Sequence, residues 1–256
     1  AMLRAETPQE QFNLIGAGRR NMIINGDMKI NQRGPQTSGV AQTWPVDRFM
    51  ASENTGGAIL SSQQADGPHT KDGHFKYYIQ LNVDTADTAV AGTDYGGIFY
   101  KVEGYDWDQM NYGTSDARTS TLSFWHCHSV AGVFSISMRN EGGGSNRNFV
   151  FDYNQDKADV WQKTIMVVPG DTGGTWTETT TGALSILFTY IQGTTYALAD
   201  AYLNNWYAGT YYHASTRQTN LMAAVNNKFR ITGVQLEAGK VATPFEHRSY
   251  GEELAL

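Results

Sequence analysis

The nine residues from Phe75 to Val83 carry apolar side chains at every second position, and this alternation constrains the fold more than any other feature of the sequence. Successive side chains of a β-strand point to opposite faces of the sheet. A period of two therefore predicts a strand that has one buried face, with Ile79 and Leu81 inward and Lys76 and Gln80 outward.

Similar short runs recur along the chain. The other predicted strands are Ile98–Val102, a hairpin over Thr121–Arg139 that turns near Ala131 and Gly132, Phe149–Tyr153, Trp161–Val168, Leu184–Tyr190 and Phe229–Leu236. In the last run the phase of the apolar positions changes at Gly233, which predicts a β-bulge. Helix signals are confined to Trp107–Met110 and Asp200–Trp206. Short strands joined by Gly-rich turns, without βαβ alternation, predict an all-β, jelly-roll-like antiparallel β-sandwich.

The domain organisation follows from a change in the sequence pattern near residue 20, where alternating apolar positions begin. Residues 1–19 are polar and lack a sustained period, so we interpret them as an N-terminal arm or connector. Residues 20–256 are predicted to form a single β-sandwich domain, because they contain no internal repeat of fixed period and no linker. The sequence stops at Glu253–Leu256 without a turn or cap signal, and we expect it to be a fragment of a longer fibre protein.

Composition excludes several classes of function. The formal net charge is −6, and Lys and Arg do not cluster, so nucleic-acid binding is not expected. No apolar run approaches the roughly 20 residues that cross a bilayer, so membrane insertion is not expected, and no signal peptide is recognised. Cys127 is the one cysteine, which rules out a disulfide within the chain.

Motifs for catalysis are missing from the sequence, which contains no GxSxG, HExxH, Walker loop or paired CxxC. His126 and His128 share one face of a predicted strand and are candidate ligands of a transition metal, although no third ligand is evident. The alternative is that they make ordinary hydrogen bonds. Asp106 with Asp108, and Asp84 with Asp87, are candidates for a structural Ca²⁺ or are solvated turns. No other cofactor is expected.

Aromatic residues in polar loops are the strongest ligand signal, because an exposed ring is costly unless it covers something. Flat rings stack on the C–H faces of sugars while polar neighbours bind the hydroxyls. The candidate glycan-stacking residues are Trp206, Tyr207, Tyr211, Tyr212, Trp176, Trp107 and Trp44, with the segment WYAGTYY (residues 206–212) as the best candidate. The alternative is that such rings cap the ends of the sandwich or fill a contact between subunits.

Three segments carry a resemblance to a known family. They are RNMIINGDMKINQRG (20–34) followed by WPVDRFM (44–50), YGTSDARTSTLSFW (112–125) with WQKTIMVVPGDTGGTW (161–176), and ITGVQLEAGKVATPFEHRSYGEELAL (231–256). Together they resemble a carbohydrate-binding-like module of tail-fibre, head-fibre and related virion proteins of tailed bacteriophages. In that family the third segment commonly continues past the ELAL into a Cys-Gln-Arg-Tyr-Tyr stretch, which this chain lacks.

The resemblance implies a jelly-roll-like sandwich in a virion appendage, a homotrimer, and as partners a host cell-surface polysaccharide and other virion proteins. It supplies no binding residues. The matching positions also have structural interpretations: a turn at Asn25 and Gly26, an ion pair between Asp47 and Arg48, and docking of the C-terminal tail through Pro244 and Phe245. Three functions remain open: a glycan-binding, non-catalytic module, a purely structural or assembly domain, and, third, an enzyme acting on polysaccharide.

Overall fold

The computed structural model describes residues 20–34, 42–141 and 145–256. Most of its strands form two antiparallel sheets. The seven-stranded sheet has the order β1 (Gln42–Val46), β2 (Phe49–Asn54), β7 (Tyr95–Glu103), β12 (Gly182–Gln192), β9 (Gly132–Asn140), β10 (Arg147–Gln155) and β14 (Trp206–Ala208). The five-stranded sheet has the order β11 (Gln162–Val168), β8 (Ser120–His126), β16 (Lys228–Ala238), β6 (Tyr77–Thr85) and β3 (Ala58–Ala65).

Smaller elements connect these sheets. Two two-stranded pairs are β4 (His69–Thr70) with β5 (Gly73–His74), and β13 (Ala197–Leu198) with β15 (Ala214–Ser215). The helices are α1 (Gly104–Trp107), α2 (Tyr250–Ala255) and single 3₁₀ turns at Asp108–Met110, Thr194–Tyr196, Asp200–Tyr202 and Leu221–Ala223. None of the helices in the described ranges is long and apolar enough to cross a membrane. The predicted arm, residues 1–19, lies outside the described residues.

The all-β sandwich predicted from the alternation is confirmed, because the two sheets enclose one apolar core between them. In β6 the inward residues Ile79, Leu81 and Val83 are at most 1% exposed. The predicted bulge in β16 is also confirmed. The register shifts between Thr232 and Gln235, and Gly233 has a positive φ of 60°, so the apolar residues on both sides of the bulge face the core.

The predicted hairpin over Thr121–Arg139 is wrong. Strand β8 pairs with β11 and β16 in one sheet, whereas β9 pairs with β10 and β12 in the other. The connection between them therefore crosses from sheet to sheet. Alternation could not reveal this, because the inward side chains of two facing strands show the same period as those of two adjacent strands.

The first and third of the resembling segments meet in space. Arg248 forms ion pairs with Glu246 (3.0 Å) and Glu253 (3.4 Å), and its guanidinium donates to the carbonyl oxygen of Asn21 (2.6 Å). The carboxylate of Glu253 in turn accepts from the backbone N–H of Asn25. We call these five residues the terminal clasp. Their polar contacts support the interpretation of the segments as determinants of the fold.

Two further expectations about these segments have different outcomes. Phe245 is 9% exposed, and its ring lies 5.0 Å from that of Phe75, so docking of the tail is confirmed. The predicted ion pair between Asp47 and Arg48 is wrong. Arg48 has a positive φ of 72° in the tight turn between β1 and β2, and its side chain pairs with Glu103 at 2.8 Å instead.

Candidate functional site

The outer face of the seven-stranded sheet, which points away from the core, carries the candidate site. Register aligns its side chains in two rows across the strands. The polar row consists of Lys101, Ser185, Arg139, Asn148 and Tyr207. The row beside it is apolar except at one position, and we call it the apolar row. It consists of Met50, Phe99, Leu187, Ser137 and Val150. Both rows run from the β2 and β7 side of the sheet towards β10.

One half of this outer face is covered by residues 193–218, which join the sheet as β14 and otherwise lie over it. We call these residues the covering segment. Its Leu198, Leu203 and Tyr212 pack on Val150 of the apolar row and form a second, small apolar cluster. Its Ser215 donates to the carboxylate of Asp152 at 2.9 Å. The covering segment therefore buries the sheet over β9 and β10 and leaves the side of β1, β2 and β7 open.

The open half forms a groove with a volume of about 490 Å³. The groove is lined by Gln42, Trp44, Arg48, Met50, Phe99, Lys101, Glu103, Thr180 and Gly182. Strand β7 supplies Phe99, Lys101 and Glu103 because alternate residues of a strand share a face. Ile98, Tyr100 and Val102, which alternate with these residues along β7, face inward and belong to the core.

The groove combines an aromatic wall with a charged edge. Trp44 is half-buried, and the guanidinium of Arg33 lies 4.9 Å from the centroid of its ring. Arg48 and Glu103 pair at 2.8 Å while their side chains stay 36% and 40% exposed. Lys101 pairs at 3.0 Å with Glu141. Arg33 lies over one face of the Trp44 ring, so the other face is the one that offers a stacking surface. The exposed pair offers donors and acceptors that are already oriented.

Two of the predicted stacking residues are inaccessible to a ligand. Trp107 is 1% exposed and Trp176 is 9% exposed, so their prediction as glycan-stacking residues is wrong. Both pack edge-on against Tyr112, each with ring centroids 4.8 Å apart. They cap one end of the sandwich, which was the alternative interpretation. Their loops fold back onto the core because burial of a large ring outweighs the polar character of its neighbours.

The best sequence candidate, WYAGTYY, is divided by the structure. Trp206 is half-buried and turns towards the same aromatic cap, where its Nε1 donates to the carbonyl of Pro169 at 2.6 Å. Tyr207 lies between Tyr202 and Tyr212, with ring centroids 5.2 and 5.9 Å away, on the covering segment. Trp44 is the one predicted stacking residue that lines the groove.

Tyr211 lies at the boundary between the groove and the covered half. Its hydroxyl donates to the backbone carbonyl of Asn140 at 2.8 Å. The guanidinium of Arg139 lies 4.8 Å from the Tyr211 ring centroid and 5.8 Å from that of Phe99, which lines the groove. Tyr211 and Arg139 therefore lie beside Phe99, next to the groove.

His126 and His128 serve the core through hydrogen bonds. His126 contacts Gln155 through Nδ1 (2.9 Å) and Thr164 through Nε2 (3.0 Å), and His128 contacts the hydroxyl of Tyr153 through Nε2 (2.9 Å). Burial lowers the pKa of His126 to about 4 and holds the pKa of His128 well below its usual value. With both nitrogens of His126 engaged inside the protein, the arrangement matches the hydrogen-bonding alternative.

The aspartates that are candidate Ca²⁺ ligands do not belong to a larger cluster of metal-binding side chains in the described ranges. Asp87 is buried and accepts from the backbone N–H groups of Gly56 (2.9 Å) and Ala89 (3.1 Å), which braces a loop. Asp106 lines a shallow depression of about 150 Å³, whereas Asp108 is exposed. Within the described ranges no three His, Cys, Asp or Glu residues lie close enough together to hold a metal ion.

Sequence reasoning missed most of the groove. Met50, Phe99, Arg48 and Glu103 were not predicted as site residues, although the alternation of Phe99 and Lys101 with inward neighbours already indicated that both point outward. The sequence does not show which segments pack over the outward-facing residues of each strand. Nothing in the sequence shows which outward face remains open and which is covered by a later segment.

No protein-family model and no curated protein sequence matches this chain. Among solved structures, the chain is similar to the enzymatically active domain of tailspike protein 4 of bacteriophage CBA120, with a TM-score of 0.46 and 12% identity over 85% of this chain and 21% of that one. It is also similar to the CBM22-1 xylan-binding domain of Paenibacillus barcinonensis Xyn10C, with a TM-score of 0.42 and 9% identity over 88% and 100% of the two chains. A family 11 carbohydrate-binding module of Clostridium thermocellum, in complex with a β-1,3-1,4-mixed-linked tetrasaccharide, gives a TM-score of 0.39 and 12% identity over 83% and 100%. The chain thus spans about a fifth of the tailspike structure.

Proposed function

We propose that this chain is a non-catalytic module of a phage virion appendage that binds a host-surface glycan in the groove of the seven-stranded sheet. The observation that carries the proposal is that the Trp44 ring and the exposed Arg48–Glu103 ion pair line the same groove, on the half of the face that the covering segment leaves open. The assignment to a virion appendage rests on the resemblance of the three sequence segments.

Binding would use two contributions. A pyranose ring stacks its C–H face on Trp44, which removes apolar surface from water. Its hydroxyls then exchange hydrogen bonds with the guanidinium of Arg48 and the carboxylate of Glu103, since charged donors and acceptors make the stronger bonds. Because Arg48 and Glu103 hold each other at 2.8 Å, little side-chain freedom is lost on binding.

The groove favours binding over hydrolysis. Glycoside hydrolysis generally uses two carboxyl groups about 5 to 10 Å apart. Among the described residues that line the groove, Glu103 is the single carboxylate, and it is paired with Arg48. A polysaccharide-acting enzyme is therefore the least supported of the three hypotheses.

A structural or assembly function remains the second candidate, because one surface favours it. Strand β11 forms an edge of the five-stranded sheet and exposes Ile165 (50%) and Val167 (41%). An edge strand with exposed apolar residues is a template for pairing with another chain. We propose that, in the homotrimer implied by the resemblance, β11 of each subunit contacts a different surface of the next subunit, because pairing of two identical edges would give a twofold dimer. The groove stays accessible.

The experiment that tests the proposed function is a broad glycan array probed with the purified wild-type chain and with Trp44→Ala. Selective binding by the wild type that Trp44→Ala lacks would support the groove. Trp161→Ala is the matched control, since Trp161 is another half-buried tryptophan but packs on Tyr78, in the five-stranded sheet. If the folded wild-type protein binds no glycan on the array, the glycan-binding proposal is contradicted and the assembly function is favoured.

A further inference from the structure

A set of buried polar atoms continues from the groove beneath the covering segment. The hydroxyls of Ser185 and Ser137 and both amide atoms of Asn148 have no hydrogen-bond partner in the part of the chain that the structure describes. All three residues are at most 1% exposed. Burial of an unpaired polar group is costly, and most buried polar groups in folded proteins have partners.

These atoms are direct neighbours of the groove. Lys101, which lines the groove, is paired in register with Ser185 on the adjacent strand, and Arg139 and Asn148 follow on the next two strands. Adjacent strands are about 4.8 Å apart. The unpaired groups thus begin one strand from the groove and extend to about three strands from it, which is comparable to the length of a short oligosaccharide.

The chemistry of these groups suits neutral hydroxyls. Serine hydroxyls and a carboxamide both donate and accept hydrogen bonds, as saccharide hydroxyls do. None of the three carries a charge, so an ionic ligand would find no compensation in them. A ligand that reaches them would supply the hydrogen bonds that they lack in the free protein.

Arg139 and Tyr211 separate Ser185, next to the groove, from Asn148 further along the row. Arg139 occupies the polar row between Ser185 and Asn148, and its side chain lies against the Tyr211 ring. Tyr211 follows Gly209, which has a positive φ of 117°, and a β-carbon added at Gly209 would meet only one atom, of the Tyr207 side chain, within 4 Å. Opening therefore requires that the Tyr211 hydroxyl release Asn140, which it contacts at 2.8 and 3.1 Å, and that the ring leave Arg139.

We propose that Ser185, Ser137 and Asn148 form a second subsite for uncharged sugar residues, which continues the groove and opens when Tyr211 and Arg139 move aside. This inference rests on the proposed glycan-binding function of the groove. It assigns these residues a role in recognising longer chains, whereas Trp44 holds the first sugar.

The test uses a ladder of oligosaccharides, from the disaccharide upward, prepared from the polysaccharide that the wild type selects on the array. Affinities are measured by calorimetry for the wild type and for the double variant Ser137→Ala and Ser185→Ala. Ser123→Ala is the control, because Ser123 is also buried and lies in the five-stranded sheet. We expect the wild-type affinity to rise with length, and the double variant to match it on the shortest sugar and lose about tenfold on the longest.

The outcomes separate the two proposals. If Trp44→Ala binds every sugar as the wild type does, the groove itself is wrong. If Trp44→Ala fails but the double variant keeps the full rise with length, the groove stands and the second subsite is overturned. The melting temperature gives an independent check. Loss of unpaired hydroxyls should leave it unchanged or raise it by about 2–4 °C, whereas a fall would show that the hydroxyls have protein partners and would contradict the subsite.

Discussion

Hydrogen bonds inside the core decide which ring nitrogen of His126 carries the hydrogen. The side-chain oxygen of Gln155 can only accept, and it already accepts from the backbone N–H of His128 at 2.9 Å. The Nδ1 atom of His126, which lies 2.9 Å from the same oxygen, must therefore carry the hydrogen. Burial lowers the pKa of His126 to about 4, so at neutral pH its Nε2 atom carries no hydrogen and accepts from the hydroxyl of Thr164.

This arrangement predicts that the chain loses stability in mild acid. Burial lowers the pKa of His126 and of His213 to about 4, below the ordinary value of 6.5. Between pH 6.5 and pH 4 the unfolded chain binds protons that the folded chain does not, so the free energy of unfolding falls as the pH falls. Each of these histidines contributes a loss of up to about 3 kcal/mol.

Urea denaturation across this pH range measures the effect. His126→Gln should flatten the pH dependence of the unfolding free energy, because glutamine does not titrate, even if it lowers stability at neutral pH. Ser123→Ala is the control, because Ser123 is buried in the same strand and carries no titrating group, and it should keep the wild-type slope. An identical slope in the wild type and in His126→Gln would contradict the assignment of a buried neutral imidazole.

At the scale of elements, the terminal clasp is expected to make a large contribution to stability. Arg248→Met keeps most of the side-chain volume but leaves Glu253, whose side chain is 5% exposed, without its cation. Removing one partner of a buried ion pair costs about 3–5 kcal/mol, because the other charge stays buried. We expect the free energy of unfolding, measured by denaturant titration, to fall by about that amount.

The matched control is Arg217→Met. Arg217 also pairs with a carboxylate, that of Asp152 at 2.8 Å, but its side chain is 51% exposed. Surface ion pairs contribute at most about 1 kcal/mol, so this variant should be close to the wild type. Equal small losses in both variants would show that the clasp does not hold the terminal segments.

The positions of the strands could be predicted from the sequence, whereas their pairing could not. Alternation located β6 and the bulge at Gly233 because one buried face leaves a period that every strand of the sandwich must obey. The same period does not show which strands pair with each other. For this reason the sequence analysis wrongly placed β8 and β9 in one hairpin. Trp44 and Trp107 look alike as aromatic residues in polar loops. Their different burial depends on how distant segments pack, which no local pattern contains.

At the scale of the whole molecule, the proposed homotrimer predicts a mass in light scattering of roughly three times the 28.3 kDa of one chain. Ile165→Lys should shift the mass towards the monomer, since a charge among the exposed apolar residues of β11 opposes burial of this strand against the next subunit. Val225→Lys is the control, because Val225 is similarly exposed, at 52%, but lies in a turn outside the sheets. A monomer in the wild type would contradict the trimer.

The central claim, that the groove around Trp44 binds sugar, is tested most directly by NMR of the six tryptophan indole N–H groups. Each indole gives its own signal, so titration with the glycan selected on the array reports where the ligand lies. We predict that the Trp44 signal shifts in proportion to saturation, while the buried Trp107 and Trp176 signals stay in place. Shifts at Trp206 or Trp161 with an unchanged Trp44 signal would contradict the claim.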